Sequence, residues 1–363
     1  MALKVIVCLD GWSPQYLARS STPNLNATAE AGFSVIGRAA IPTVTNVNNT
    51  TIVTASFPEK HGITSNYFID PSTGQEVYME SSEYLLTETV FRRIAGKGKK
   101  SAVLTAKQKL KNLISDGAII AESAENPPPW LLDKLGPPPE IYSIEINHWL
   151  LQAAREVLLG YSPDLLYVTT TDYVNHKYAP EDEESQWNMN RIDRLLGDIM
   201  NVSPDVEIVV TADHGMNDKV WAVDLNRILR EGGIRANAIP IIKDRYVVHH
   251  RNMGGAAYVY LEDMDSINEA KALLKEEKGI ESVISSREAA KIYNLHPGRI
   301  GHLFVLADRD TVFGSLPVGR EEVNIRSHGS LHECQIPIIG CGAGPMAAQP
   351  ESNCDVAAWV LSD

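Results

Sequence analysis

The chain has 363 residues, with 46 acidic against 33 basic side chains, a formal net charge of −13 and a pI near 5.3. That length, with 44% apolar residues, suffices for one large α/β domain, or a core plus a smaller unit, with a full hydrophobic interior. The acidic balance argues against nucleic acid and membrane surfaces as partners, so an anionic substrate would have to be attracted locally, by metals or placed lysines. The four cysteines (Cys8, Cys334, Cys341, Cys354) show no CxxC spacing, and Cys8 reads as a small core residue. The apolar run Val5–Leu9 is too short for a signal or a spanning helix. A cytoplasmic location is expected.

In chain order, Leu3–Leu9 reads as a buried strand running into Asp10-Gly11. Thr22-Pro23 opens a helix that Gly32 stops, and Phe33–Ala40 is the next strand. Pro42–Ile63, reading PTVTNVNNTTIVTASFPEKHGI, begins as a polar turn and becomes a helix of small residues that ends at Pro58. Thr64–Glu80 is polar, with turns at Asn66 and Asp70-Pro71. Thr87–Ala95 has Val90, Phe91 and Ile94 on one helical face. Ser101–Ala106 is a strand continuing into Lys107-Gln108-Lys109. Pro127–Pro139 is a surface excursion, and a long amphipathic helix follows over Ile144–Leu159.

The strand Asp164–Thr169 leads to Asp172, the helix Glu181–Met200 follows, and the strand Val206–Thr211 ends at Asp213-His214-Gly215. Strands alternating with helices predict a doubly wound, mostly parallel sheet flanked by helices, with ligands at the strands' carboxyl ends. Between Met216 and Asn324 the pattern becomes Ala256–Leu261 (strand), Ser266–Lys275 (helix), Ser282–Ile284 (strand) and Arg287–Tyr293 (helix). It predicts an inserted α+β cap over 217–324, with 1–216 and 325–363 as the core; that core resumes with the strand Ile336–Ile339 and a final helix, Asp355–Leu361.

Three separate strands thus each deliver an aspartate to one edge: Asp10, Asp172 and Asp213. A single Asp-His pair at a strand end is more often structural, but Asp172 and His176 share helical spacing, and His214 and His328 complete a set of three carboxylates and three imidazoles. Mixed oxygen and imidazole ligation suits zinc, with manganese or iron as substitutes. Six ligands are too many for one tetrahedral ion and right for two, and two ions about 4 Å apart would clamp the oxygens of a phosphoryl displacement. Thr45, a hydroxyl at a helix mouth, is the candidate nucleophile; capping or turn chemistry is the plainer alternative. The remaining histidines (His61, His148, His249, His250, His296, His302, His332) default to structure, with His332 kept as a reserve ligand.

Asp10, PTVTNVNN with FPEKHGI, TTDYVNHKYAP (Thr170–Pro180), TADHGM (Thr211–Met216) and RSHGSLHE (Arg326–Glu333), in that order, resemble the alkaline phosphatase superfamily. The branch resembled holds nucleotide pyrophosphatase/phosphodiesterases and the phosphonoacetate hydrolase family. The likeness covers nearly the whole chain and implies an alkaline phosphatase-like core. It implies that Asp172, His176 and His328 hold one zinc, that Asp10, Asp213 and His214 hold the other, and that Thr45 faces both. Asn66 matches the asparagine that helps the nucleophile's backbone N–H hold the phosphoryl oxygen. TAKQKLKNLI (Thr105–Ile114) resembles the TAK-x-K segment of the phosphonoacetate hydrolase family, where two lysines grip the substrate; here these are Lys107 and Lys109. Tyr246–His250 (YVVHH) also resembles a segment of that family and carries no assigned role.

Charge gives the same choice without the resemblance. Two zinc ions and three aspartates leave about one positive charge, enough for a phosphodiester, whereas two lysines raise it to about three, matching the phosphonoacetate trianion. A solvated loop is the ordinary alternative for such lysines. Their i, i+2 spacing after a strand puts both on one side if the chain stays extended. The expectation is a di-zinc enzyme cleaving the carbon–phosphorus bond of phosphonoacetate through a phosphothreonine, acting on a small anionic phosphonate and allowing for a homodimer. The alternatives are a phosphodiesterase or nucleotide pyrophosphatase on the same scaffold, or a metal-stabilised binding protein with a dead site. No Cys-x-Pro-x-Arg segment is present to supply a sulfatase nucleophile.

Overall fold

The computed structural model describes residues 3–244, 252–342 and 349–361; Tyr246–His250 lies outside the described residues. Seven strands form the central sheet, in spatial order Phe33–Arg38, Gln335–Cys341, Val206–Thr211, Leu3–Cys8, Leu165–Thr169, Ser101–Thr105 and Ile120–Ser123. The last five run parallel to one another, and Gln335–Cys341 runs antiparallel to both of its neighbours. This is the mostly parallel, helix-flanked α/β architecture expected of an alkaline phosphatase-like core.

Period-two alternation sorts the strand residues into two cores. Val5, Val7 and Leu166 face the helices Glu145–Tyr161 and Glu183–Met200, packing with Trp149, Leu150, Leu196 and Ile199. Ile6, Cys8, Tyr167 and Val209 face the other way, against Val47 and Val53 of Thr45–Thr54, Phe91 of Val90–Ala95 and Leu113 of Gln108–Ile114. Both faces of the parallel strands are covered, which is why they read as continuous apolar runs.

A second, antiparallel sheet contains Ala236–Pro240, Ala256–Leu261, Leu303–Ala307 and Ile280–Ser285. Tyr258, Phe304 and Leu306 on one face join the core around Val47. Val259, Leu303 and Val305 on the other pack against Leu229 and Leu274 of the helices Leu225–Glu231 and Ile267–Lys275. Thr311–Phe313, Asn217–Val223 and Arg320–Ser327 form a three-stranded sheet beside it. Among the described residues no helix is long and apolar enough to cross a membrane.

Several local expectations need correction. The stretch after Thr45 does not run on to Pro58: the helix ends at Thr54, with Ala55 in the left-handed region (φ 48°), and Pro58 opens a separate turn, Pro58–His61. Proline at a first helical position starts helices as readily as it stops them. Pro127–Pro139 contains the helix Pro129–Leu135, anchored by buried Leu131. The strand expected through Ala106 stops at Thr105, and a helix begins at Gln108, directly after Lys107. The strands Leu303–Ala307 and Arg320–Ser327 were not foreseen; the second carries Arg320, Glu321, Glu322 and Arg326, which mask its alternation.

Candidate active site

The three aspartates meet because their strands are neighbours. Cys8 is level with Thr211 on one side and Thr169 on the other, so Asp10, Asp213 and Asp172 leave the sheet two or three residues beyond one rung. Gly11 has φ +72°, and a Cβ there would stand 2.9 Å from Asn175 Nδ2 and 3.0 Å from Asp172 Cβ, so glycine lets the Asp10 turn approach Asp172. Asp10, Asp172, Asp213, His214 and His328 are all buried.

His176 sits one turn beyond Asp172 on the short helix Tyr173–Lys177, its Nε2 3.0 Å from Asp172 Oδ2. His328 Nε2 lies 3.5 Å from the same oxygen. His214 Nε2 lies 3.5 Å from both Asp10 Oδ1 and Asp213 Oδ2, and 3.3 Å from Thr45 Oγ1. The His214 and His328 rings stack with centroids 3.7 Å apart. Ligand atoms of Asp172, His214 and His328 converge within 4.8 Å, as do those of Asp10, Asp213 and His214, so His214 stands between the two groups and His176 adjoins the first through Asp172.

Thr45 is the first residue of the helix Thr45–Thr54, which is composed of Asn, Thr, Val and Ile, poor helix formers. Tertiary contacts hold it. Asn48 Oδ1 accepts from the Ala40 N–H, and Asn49 Nδ2 donates to the Thr45 carbonyl and to Asp213 Oδ2, while Asn49 Oδ1 accepts from the Tyr167 hydroxyl. Thr45 is thereby tied to the carboxylate cluster from behind.

Each imidazole donates from Nδ1–H to a main-chain carbonyl: His176 to Arg326 (2.8 Å), His214 to Gly215 (2.9 Å) and His328 to Thr43 (2.7 Å). A carbonyl can only accept, so Nδ1 carries a proton in each ring and Nε2 is the atom turned to the carboxylates. Burial pushes His214 and His328 down to about 4, favouring the neutral ligand form. Burial, with Asp172 and Asp213 nearby, holds Asp10 well above the usual carboxylate range, and burial with Asp172 raises Asp213 to about 6. Asp172 runs the other way: burial pushes it up, but His176, with His328 and Lys107, carries it well below. Asp10 Oδ1 is buried with no hydrogen-bond partner. Neutral imidazoles, crowded buried carboxylates and an orphaned oxygen form a donor set that fits divalent cations.

On the open side, Asp10, Thr45, Asn66, Lys107, Lys109, Asp172, His176 and His328 line one cleft. The buried Asn66 Oδ1 has no hydrogen-bond partner. Lys107 has an extended backbone (φ −104°, ψ 134°) and caps the helix Gln108–Ile114, in which Lys109 lies. The extended i, i+2 geometry is therefore corrected, yet the first helical turn still turns Lys109 into the same cleft as Lys107. Burial pulls the Lys107 ammonium down, but the carboxylates of Asp172, Asp244 and Asp10 outweigh it and raise it. Lys109 forms an ion pair with Asp244, which also lines the cleft. Sequence reasoning missed Asp244. It lies 135 residues from its partner and belongs to no motif, so only the fold shows it.

The other described histidines are satisfied elsewhere. His61 is buried and bonds Thr51 and the Ile63 N–H, His148 bonds Asn188, and His296 and His302 accept from the Gly298 and Leu261 N–H groups. His332 bonds Glu281, away from the cluster. His249 and His250 lie outside the described residues.

Residues 4–331 match the family of type I phosphodiesterase/nucleotide pyrophosphatase. The chain belongs to that family. It is 27% identical over 242 residues to a Schizosaccharomyces pombe pyrophosphatase/phosphodiesterase that is itself uncharacterised, a match spanning 60% of this chain and 46% of the relative. It is 28% identical over 239 residues to the venom phosphodiesterase of Naja atra, covering 62% of this chain and 27% of that protein. The chain thus spans less than half the length of these two relatives. Its fold superimposes on phosphonoacetate hydrolase from Sinorhizobium meliloti in complex with phosphonoformate, with a TM-score of 0.88 and 32% identity over 99% of this chain and 94% of that one. The same enzyme with phosphonoacetate gives 0.87. Murine ectonucleotide pyrophosphatase/phosphodiesterase 5, at 17% identity and a TM-score of 0.70, shares the fold.

Proposed function

We propose that this protein is a phosphonoacetate hydrolase, with residues 1–216 and 325–363 as the metal-binding core and 217–324 as a cap. The observation that carries the reading is that Lys107 and Lys109 share one cleft with Thr45 and Asn66. The likeness to a phosphonoacetate hydrolase over 99% of the chain supports it. Asp172, His176 and His328 would hold one zinc, and Asp10, Asp213 and His214 a second, with Thr45 facing both. Bound there, the two ions (manganese or iron as substitutes) would supply Lewis acidity that favours the alkoxide of Thr45 and neutralises phosphoryl charge.

Thr45 Oγ1 attacks phosphorus in line, forming a phosphothreonine as the P–C bond breaks and its electron pair leaves with carbon. Asn66 and the unpaired N–H groups at the helix start hold the phosphoryl oxygens. The leaving group is the enolate of acetate, which takes a proton from solvent, where the Thr45 hydroxyl proton has gone, to give acetate. Lys107 and Lys109 hold the carboxylate on which that negative charge grows, so they act more strongly in the transition state than in the bound substrate. Lys109 exchanges its Asp244 partner for the substrate carboxylate. Water then cleaves the phosphothreonine, releasing phosphate and restoring Thr45.

The family match and the curated relatives favour a second reading, a phosphodiesterase or nucleotide pyrophosphatase on the same residues. Phosphate release from phosphonoacetate, measured beside hydrolysis of a nitrophenyl phosphodiester with zinc added, separates the two. Phosphate from phosphonoacetate is expected. Turnover of the diester alone would transfer the assignment to the second reading.

A further inference from the structure

A buried ion pair outside the cleft takes no part in the chemistry above. Lys219, on the strand Asn217–Val223, and Glu333, in the turn that follows His328, have side chains with 0% exposure and meet at 2.9 Å. Glu333 accepts four hydrogen bonds. Oε1 takes Lys219 Nζ and, at 2.8 Å, Asn217 Nδ2; Oε2 takes the Ser330 N–H at 3.0 Å and the Ser330 hydroxyl at 2.7 Å. Two carboxylate oxygens with all lone pairs directed at donors cannot be reproduced by an amide, which has one acceptor oxygen.

The partners of Glu333 lead to two different histidines. Its own carbonyl accepts the Gly215 N–H at 2.7 Å, one residue past His214. Ser330, which its carboxylate grips, accepts the Thr43 hydroxyl at its carbonyl, and Thr43 in turn accepts the Gly329 N–H at Oγ1 and the His328 Nδ1–H at its carbonyl. One residue therefore links the loop that carries His214 to the loop that carries His328, whose rings stack 3.7 Å apart. Desolvating a lysine and a glutamate together contributes little net stability, and an apolar pair of similar volume commonly folds as well or better.

We propose that Glu333, held by Lys219, is a positioning residue that sets the separation of His214 and His328 and so tunes metal affinity. The inference rests on the reading of those histidines as zinc ligands.

The test compares wild type, Glu333→Gln and the double variant Lys219→Met/Glu333→Leu by zinc competition against a chromogenic chelator, alongside thermal unfolding of the metal-free proteins. Both variants are expected to bind zinc roughly ten- to a hundredfold more weakly, the range found when groups that orient metal ligands are removed. The double variant is expected to fold but to melt somewhat lower in the metal-free state, since Asn217 and Ser330 lose their acceptor, and excess zinc is expected to restore its activity. Should Glu333→Gln fail to fold, the double variant alone decides the matter, since its core contains no unpaired charge. Wild-type zinc affinity in the double variant would overturn the positioning role and leave the pair a structural one. Absence of zinc binding in wild type would instead overturn the metal assignment itself.

Discussion

The carboxyl end of the central sheet and the four-stranded sheet of 236–307 are both buried, but they are built on opposite principles. In the four-stranded unit, Val259, Leu303 and Val305 meet Leu229 and Leu274 with apolar contacts only. Its exposed helix ends are satisfied by ordinary devices, such as the capping box in which Ser285 and Glu288 exchange hydrogen bonds. At the sheet end, three aspartates and two imidazoles are removed from water, two of the carboxyls are held above their usual range, and Asp10 Oδ1 has no partner. The first region lowers the free energy of the fold by itself. The second opposes folding, because carboxylates taken out of water cost free energy unless opposite charge balances them. Substitutions in the two regions should therefore separate activity from stability.

The largest effect expected is that of Thr45→Ala, which should lower phosphate release by roughly three orders of magnitude or more, as removal of a nucleophile does. Its melting temperature and zinc content should stay those of wild type. Thr45→Ser should retain part of the activity, since the hydroxyl survives. Undiminished turnover by Thr45→Ala would show that water, not Thr45, attacks phosphorus.

Leu274→Ala tests the opposite region. Truncating this fully buried side chain should cost about 2–5 kcal/mol of unfolding free energy in a denaturant titration. Turnover per folded molecule should not change. A fall in kcat with stability intact would mean that the four-stranded unit takes part in the chemistry directly.

Asn66→Ala should slow turnover of both a phosphonate and a nitrophenyl diester, by about 3–4 kcal/mol in activation free energy, because the phosphoryl oxygen is common to both. Lys107→Ala and Lys109→Ala should discriminate. A charge-assisted hydrogen bond is worth roughly 1.5–3 kcal/mol, so each should reduce phosphonoacetate turnover about ten- to a hundredfold, in kcat as well as KM, and spare the diester. Equal losses on the two substrates would move the lysines to the phosphoryl group or to the fold.

The smallest effect is the most direct test of the contrast. Burial and its two neighbouring carboxylates raise Asp10 in the folded protein, so its ionisation disfavours folding once the pH exceeds the unfolded value of about 4. Metal-free Asp10→Asn should accordingly be more stable than wild type at pH 7, with no advantage below about pH 4. The same variant should bind zinc more weakly. Lower stability at pH 7 in the presence of a chelator would show that Asp10 is satisfied without a cation.

Much of the site was legible in the order of its motifs. Asp10, Asp172 and Asp213 each follow an apolar run, and a parallel sheet places the ends of such runs at one edge whatever the details of the helices between them. Tyr167, Val209 and Ile6 could likewise be assigned to the core from their place in continuous apolar runs. Lys107 and Lys109 show where local reasoning falls short. Their strand was expected to continue, but a helix starts at Gln108, and the lysines share the cleft through its first turn instead. The helix at Thr45 was expected, but its residues favour strands and turns, and composition did not show what holds it; bonds of Asn48 and Asn49 to Asn353, Asp213 and Tyr167 do.

The sequence by itself determined the alternation of strands and helices, the strand ends at which the aspartates stand, and the identity of the candidate nucleophile, because these follow from periodicity and from short motifs. Only the tertiary structure decided which ring nitrogens face inward. The Nδ1 bonds of His176, His214 and His328 end on the carbonyls of Arg326, Gly215 and Thr43, and two of those carbonyls come from segments at least 150 residues away in the chain. It also placed Asp244 on Lys109 and Glu333 between two histidine loops. Such pairings depend on which backbone groups are left unsatisfied once the elements pack, and no local pattern of residues encodes that.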